Sequence, residues 1–377
     1  MTFTFLHTAD WQIGKPFGSF PDEKAALLRE ARRSVIGRIA NVARTNGAGH
    51  VLVAGDIFDS RDIPDRDLMQ SLERMRREET ITWHLLPGNH DAVHDGGIWE
   101  RVSRIGYPEN VKAHLEPLPV TLAPDVALLP APLRGRTAIS DPTAWMDSAV
   151  TPAARYRIGL GHGSIQGFGG EGGEAAVPIA PRRAEMAGLS YLALGDWHGV
   201  LKISDRVWYS GTPEPDRFPD NEPGFALVVR LDEPGGLPKV ERHATAHYTW
   251  VKRGVDVTEP ANLDQVLSQL SATPNPEHVL VSLAVSGTPS LAAWGKCEAQ
   301  LAGLEQKLFH LLVDSATVMA LPEVIELEEF GTGDLRQAAG LLSGMARESS
   351  DDQAAAASLA LRKLYGMVRQ IRAGGRA

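Results

Sequence analysis

The feature that most constrains the fold is a series of short apolar runs, each closed by Gly, Asp or His. Phe3–Leu6, Val51–Ala54, Trp83–Leu86, Ile158–Leu160 and Tyr191–Leu194 all have this form. Short apolar runs of this kind read as buried strands, with polar residues at their ends. Between the first two runs, Ala25, Leu28, Ala31, Val35, Ile39 and Val42 recur at helical spacing over residues 21–44. Leu68, Leu72 and Met75 repeat that spacing over residues 65–79. Strands alternating with helices predict an α/β layered domain, in which ligands collect outside the strand ends.

The texture changes near Gly224. Residues 225–231 and 278–285 predict strands, and residues 262–270 and 291–308 predict helices. The chain therefore divides into a catalytic domain over residues 1–224 and a smaller α+β domain over 225–332. A C-terminal helical segment over 333–377 follows Gly331 and Gly333. In that segment Leu335, Ala338, Leu342 and Met345 form one apolar stripe, and Ala360, Leu364, Met367, Val368 and Ile371 form another. A turn containing Ser349, Ser350, Asp351 and Asp352 separates the two and offers an N-cap to the second helix.

Hydrophobic residues at 43% and charged residues at 23% exclude disorder and a whole-chain coiled coil. The longest apolar run, Val279–Val285 with Ser282 inside it, falls far short of the roughly 18 residues of a membrane span, so no membrane association is expected. The N-terminal residues show neither a basic region nor a small-residue cleavage site, and Cys297 is the one cysteine. Both facts predict a reducing, cytoplasmic location.

Five segments place metal-ligand side chains just after predicted strands. They are Thr8-Ala-Asp10-Trp-Gln12, Gly55-Asp56-Ile-Phe-Asp59, Gly88-Asn89-His90-Asp91, Gly161-His162-Gly163 and Gly195-Asp196-Trp197-His198. Strand-end loops of one sheet converge, so Asp10, Asp56, Asn89, His162, Asp196 and His198 are expected to meet. Carboxylate, amide oxygen and imidazole together suit Mn²⁺, Mg²⁺, Fe²⁺ or Zn²⁺, and this many ligands suits a pair of ions.

These motifs, in this order, resemble the calcineurin-like metallophosphoesterases, and within them the SbcD-type nuclease subunit of the DNA double-strand-break repair complex. The resemblance runs from Phe5 to about Phe218. Leu6-His-Thr-Ala-Asp-Trp11, Gly55-Asp-Ile-Phe-Asp59 and Tyr209-Ser-Gly-Thr-Pro-Glu-Pro215 point to the nuclease branch. It implies a layered β-sandwich flanked by helices, a smaller capping domain, and a C-terminal helical segment that docks an SbcC-like ABC-type ATPase at the base of its coiled coil. The family's homodimer face lies in its catalytic domain, and no residue identifies that face here. Carried over by position, Asp10 holds the first metal, Asp56 bridges both, Asn89 and His162 hold the second, and His198 returns to the first. His90 becomes the general acid, oriented by Asp59. Two cations would polarise a phosphodiester and lower the pKa of a bridging water.

Two positions depart from the pattern. Gln12 stands where the family has a His ligand, and Asp196 replaces the first His of Gly-His-x-His. A neutral amide oxygen is a poorer donor and a carboxylate a harder one, so Mn²⁺, or else Mg²⁺, is favoured over Zn²⁺. The expected function is a 3′-to-5′ exonuclease or endonuclease acting on DNA. A small-molecule or nucleotide phosphoesterase is the alternative, and a DNA-end-binding scaffold with impaired catalysis is a third. Arg61, Arg134, Arg136, Arg182, Arg183 and Arg217 are candidates to grip phosphates, and the Gly-rich stretch Gly163–Gly173 is a candidate substrate-admitting loop. His7, His84, His94 and His114 have no motif support and are expected to be packing or surface residues. The net charge of −9 argues against DNA binding by this chain alone, although the segment from Leu335 onward holds seven basic against three acidic side chains.

Overall fold

The computed structural model describes residues 2–152, 154–167, 176–218, 220–320, 327–348 and 351–374. It divides into two units: one up to Asp216 together with Asp220–His247, the other Arg217–Pro219 with the chain from Tyr248 onward.

The first unit is a sandwich of two six-stranded sheets. In the first sheet, β1 (Phe3–Thr8), β2 (His50–Val53), β3 (Thr82–Leu85) and β4 (Val111–Ala113) run parallel in that order. In the second, β5 (Val120–Ala123), β6 (Val126–Pro130), β7 (Tyr156–His162), β10 (Tyr191–Gly195), β12 (Val207–Tyr209) and β11 (Leu201–Lys202) stand side by side, with β6, β7, β10 and β12 parallel. A two-stranded pair, β8 (Ser164–Ile165) and β9 (Pro178–Ile179), lies between them in sequence. The chain then returns to the first sheet through β13 (Phe225–Leu231), antiparallel to β1, and β14 (Lys239–Ala244).

Successive side chains of a strand point to opposite faces. In β1, Leu6 faces a core shared with α1 (Asp22–Thr45), α2 (Asp65–Arg76) and α3 (Ile98–Ile105), whereas Phe5 faces the second sheet. In β2 the same split puts Val51 and Val53 on one side and Leu52 on the other. Burial on both faces is why apolar residues stand next to one another in these strands. Helix α1 starts after Pro21 with Asp22 and Glu23 in its first turn, where the helix dipole favours negative charge. Its buried face includes Ala25, Leu28, Ala31, Val35 and Ile39, as the spacing predicts. His7 is fully buried and ties the sheets together, with Nδ1 3.0 Å from the Tyr191 hydroxyl and Nε2 3.2 Å from the Leu194 carbonyl oxygen. Burial pushes its pKa down to about 3, against the hydrogen bond at Leu194.

The second unit is built from β15 (Thr249–Asp256), α5 (Pro260–Ser271), β16 (Val279–Gly287), α6 (Leu291–Glu305) and β17 (His310–Val318), with three parallel strands in sequence order. Helices α7 (Asp334–Glu348) and α8 (Asp351–Gly374) follow and share its core through Ala339, Leu361 and Tyr365. Helix α4 (Arg183–Met186) belongs to the first unit.

One expectation is corrected. The boundary at Gly224 fails because residues 225–231 pair with β1 along Phe3–His7, so the first unit extends to His247. The C-terminal stripes are partly packed on the core and partly exposed. The buried residues of α7 and α8 include Ala339, Ser343, Ala346, Ala354, Ala357, Ser358 and Leu361. Of the stripes, Leu342, Leu364 and Val368 are partly buried against the core, while Leu335, Met345, Met367 and Ile371 are exposed. Small residues at the packed face let the helices approach closely, so much of the bulky stripe is left outside. The N-cap expected from Ser349 and Ser350, and Gly169, Gly170 and Gly172 of the Gly-rich stretch, lie outside the described residues.

Candidate metal centre

The candidate ligands occupy the C-terminal ends of parallel strands in both sheets: Asp10 follows β1, Asp56 follows β2, Asn89 follows β3, His162 ends β7 and Asp196 follows β10. Asp10, Gln12, Asp56 and Asp196 all have positive φ, at 54°, 48°, 53° and 102°. Non-glycine residues rarely adopt this region, and such strain concentrates at functional sites. Two neighbouring glycines make the approach feasible. A Cβ on Gly55 would fall 2.2 Å from His162 Nδ1, and one on Gly88 would fall 2.2 Å from Asp56 Oδ1.

Among the described residues, Asp10, Asp56 and His162 bring ligand atoms within 4.8 Å of one another. His162 is fully buried and its Nδ1 lies 2.8 Å from the Ala54 carbonyl oxygen. That carbonyl holds the proton on Nδ1 and leaves Nε2 as the ligand atom, 3.5 Å from Asp56 Oδ1. The Asn89 Oδ1 position lies 3.0 Å from His162 Nε2 and 3.1 Å from both Asp56 oxygens. With its nitrogen turned there the amide donates to all three, and with its oxygen turned there it joins carboxylate and imidazole in a donor set that fits a divalent ion.

Electrostatics agree with that fit. Burial pushes the Asp10 carboxyl up to about 7, opposed by His198 and His162 and reinforced by Asp56 and Asp196. Burial also disfavours a charged His162, yet Asp56, Asp10 and Asp196 raise its pKa to about 9. Crowded carboxylates hold protons that a divalent cation displaces when it binds.

The other expected residues sit around this cluster. Gln12 Nε2 donates to Asp56 Oδ2 at 3.1 Å, so its amide acts here on a ligand. The Asp196 backbone N–H donates to Asp10, 3.1 and 3.2 Å from its two oxygens. The Asp196 carboxylate accepts from Ser164 Oγ at 2.5 Å and reaches within 3.9 Å of His162 Nε2. His198 turns Nδ1 toward Asp216 Oδ1 at 3.4 Å. Burial opposes charge on Asp216, but the hydrogen bond from His198 and the charges of Arg32, His198 and Lys15 hold its carboxyl far below the usual range. His90 is half exposed, with its backbone N–H on Asp56 Oδ1 at 2.9 Å and its Nδ1 2.7 Å from the carbonyl oxygen of Asp59.

Asp59 therefore orients His90 through its backbone, while its carboxylate lies 3.9 Å from Lys15 Nζ. Any residue can supply a carbonyl. Asp59→Asn is expected to change turnover less than about threefold, whereas His90→Asn removes a proton donor and costs about 10²-fold or more. Steady-state rates of the two variants check this, and equal losses would return the role to the Asp59 side chain.

Sequence reasoning missed Asp91 and Asp216. The Asp91 carboxylate accepts from the backbone N–H groups of Gly88, Ile57 and Phe58, at 2.7, 2.9 and 3.1 Å, and so locks the Asp56 and Asn89 loops together. Burial and the charge of Asp56 raise its pKa to about 7 despite those bonds. Its place in Gly-Asn-His-Asp was the available signal. Asp216 directly follows the Thr-Pro-Glu-Pro motif, and Lys15 Nζ lies 2.8 Å from its Oδ2. Of the candidate phosphate-gripping arginines, Arg183 is buried between Asp141 and Asp147, and Arg134 and Arg182 pair with Glu116 and Glu185.

No curated protein matches the chain. Among solved structures, TT1561 of Thermus thermophilus is similar at 11% identity and a TM-score of 0.41, over 65% of this chain and 100% of that one. Residues 3–185 match the model of the calcineurin-like phosphoesterase family, a stretch that includes Asp10, Asp56, Asn89, His90, Asp91 and His162. That stretch of the first unit is similar to the calcineurin-like phosphoesterases, and within it strand ends bring together a candidate metal site at Asp10, Asp56 and His162.

Proposed function

We propose that this chain is a metal-dependent DNA phosphodiesterase of the SbcD type, an exonuclease or endonuclease working in double-strand-break repair. The observation that carries the reading is the convergence of Asp10, Asp56, Asn89 and His162 beside a half-exposed His90. Asp10, Asp56 and His198 would hold one cation, and Asp56, Asn89 and His162 a second, with Asp196 adding a hard oxygen. Such cations neutralise phosphoryl charge and acidify a water. The chain's own part is positional. Gln12 and the His90 N–H hold Asp56, the Asp196 N–H holds Asp10, and Asp91 fixes the loops. With Nδ1 committed to the Asp59 carbonyl, His90 presents Nε2 as the atom that gives a proton to the leaving oxygen. Trp197, 42% exposed beside Asp196, offers an aromatic face to a base.

The oxygen-rich ligand set favours Mn²⁺, and calorimetry is expected to show one tight and one weak Mn²⁺ site, because Gln12 replaces an imidazole. Two equally tight sites, or none, would contradict this. Leu335, Leu341, Met345, Leu359, Met367 and Ile371 are exposed on α7 and α8, which suits docking of the coiled-coil base of an ABC-type ATPase. A small phosphodiester or nucleotide is the second reading, favoured by the engagement of Arg134, Arg182 and Arg183 in ion pairs. Cleavage of linear and hairpin DNA with Mn²⁺, with and without the ATPase, tests the proposal. Turnover of a chromogenic phosphodiester without DNA cleavage would select the second reading.

A further inference from the structure

Helices α6 and α8 enclose a cleft of about 490 Å³ lined by Trp294, Gly295, Lys296, Glu298, Arg362 and Arg369, among others. Tyr365 and Gly366 also line it, and Arg362, Tyr365, Gly366 and Arg369 recur at helical spacing, so they share one face of α8. Arg362 is 6% exposed and lies over the Trp294 ring, with Cζ 5.0 Å from its centroid. Its Nη2 donates to the Ser315 carbonyl oxygen at 3.3 Å, but its Nε has no hydrogen-bond partner. Trp294, 4% exposed, also leaves its Nε1–H without an acceptor. No ion pair among the described residues engages Arg362, and burial pushes its pKa down, with the Glu298 charge acting against that.

Buried N–H donors without acceptors are costly, and an anion beside Arg362 would add to the offset that Glu298 gives its charge. Arg369 adds a second guanidinium, since a Cβ on Gly295 would sit 3.5 Å from its Nη1. Gly295 and Gly366 leave room where side chains would otherwise fill the cleft. Lys296 brings a third positive charge and Glu298 one negative, so the lining carries a net positive charge. Trp294 and Tyr365 are too buried to stack on a base, which restricts the ligand to its oxyanion.

We propose that the α6–α8 cleft is a phosphate-binding site, held by the guanidiniums of Arg362 and Arg369. A tetrahedral oxyanion can accept from two guanidiniums at once. Its source is a free phosphate or the backbone of a nucleic acid strand.

Isothermal titration of the full chain in EDTA, which removes cations from the Asp56 centre, tests this with inorganic phosphate, a deoxynucleoside monophosphate and a short single-stranded oligonucleotide. The wild type is expected to bind at least one of them with a Kd below about 1 mM. Arg369→Gln, which removes a guanidinium, and Arg362→Lys, which keeps the charge and loses the fork, are each expected to weaken binding about tenfold. Glu298→Gln is expected to tighten it. Equal affinity for phosphate and oligonucleotide identifies a free anion, and tighter, salt-sensitive binding of the oligonucleotide identifies a strand. No binding by the wild type, or variants of unchanged melting temperature that bind as well as it does, would overturn the proposal. Because no turnover is measured, the outcome is independent of the nuclease reading.

Discussion

Asp56→Ala is expected to lower phosphodiester turnover by about 10³-fold or more and to abolish calorimetric Mn²⁺ binding. Asp56 is the one residue that the whole centre leans on. Its carboxylate takes the Gln12 amide, the His90 backbone N–H and the close approach of His162 and Asn89. Removing it takes a carboxylate from the Asp10–Asp56–His162 cluster and leaves two donors unsatisfied, at about 1–3 kcal/mol of stability. A melting-temperature measurement separates the two effects, since the sandwich cores do not depend on Asp56. If the variant bound no Mn²⁺ and still supported repair in cells, the chain would act as a scaffold and the phosphodiesterase reading would fail.

Acid is the second large lever. His7, His50, His84 and His114 all have pKa values pushed down by burial, to about 3 for His7 and about 4 for His114. His50, His84 and His114 form a ladder, with ring nitrogens 3.0 Å apart at each step. A base with a depressed folded pKa is neutral in the fold and protonated in the unfolded chain below about 6.5. Its contribution is complete above that value and is lost as pH falls toward the folded pKa. By pH 5 each fully buried histidine of this kind costs about 2 kcal/mol. Asp10 and Asp91, with carboxyls raised to about 7, act in the opposite direction over the same range. A variant isolates the histidine effect: His7→Phe should flatten the fall of stability between about pH 6.5 and 5 by about one proton's worth of slope. An unchanged slope would refute the assignment of a neutral His7.

The contrast between strands that could be read and strands that could not is physical. β1, β2, β3, β7 and β10 are buried on both faces, so apolar residues run together and the runs announce them. β14, Lys239–Ala244, is half-buried at best and reads as a polar segment, and β11 has two residues. At the centre, motif order named the residues that converge. It could not show that Gln12 donates to Asp56 or that Asp59 acts through its carbonyl, since both depend on how the loop backbone turns. Asp216 was hidden for another reason: it meets His198 and Lys15 across long stretches of chain.

The antiparallel pairing of β1 with β13 bears on the timing of biogenesis. Phe3 lies opposite Leu231 and His7 opposite Leu227, so one edge of β1 has no neighbour until more than two hundred further residues have left the ribosome. Every candidate ligand is synthesised before that closure. A nascent chain stalled near residue 185 would hold Asp10, Asp56, Asn89 and His162 but present β1 as a bare, apolar sheet edge, prone to pair with another copy. Chaperone protection during translation should therefore be needed longest at β1, made long before β13 and enclosed only when β13 arrives.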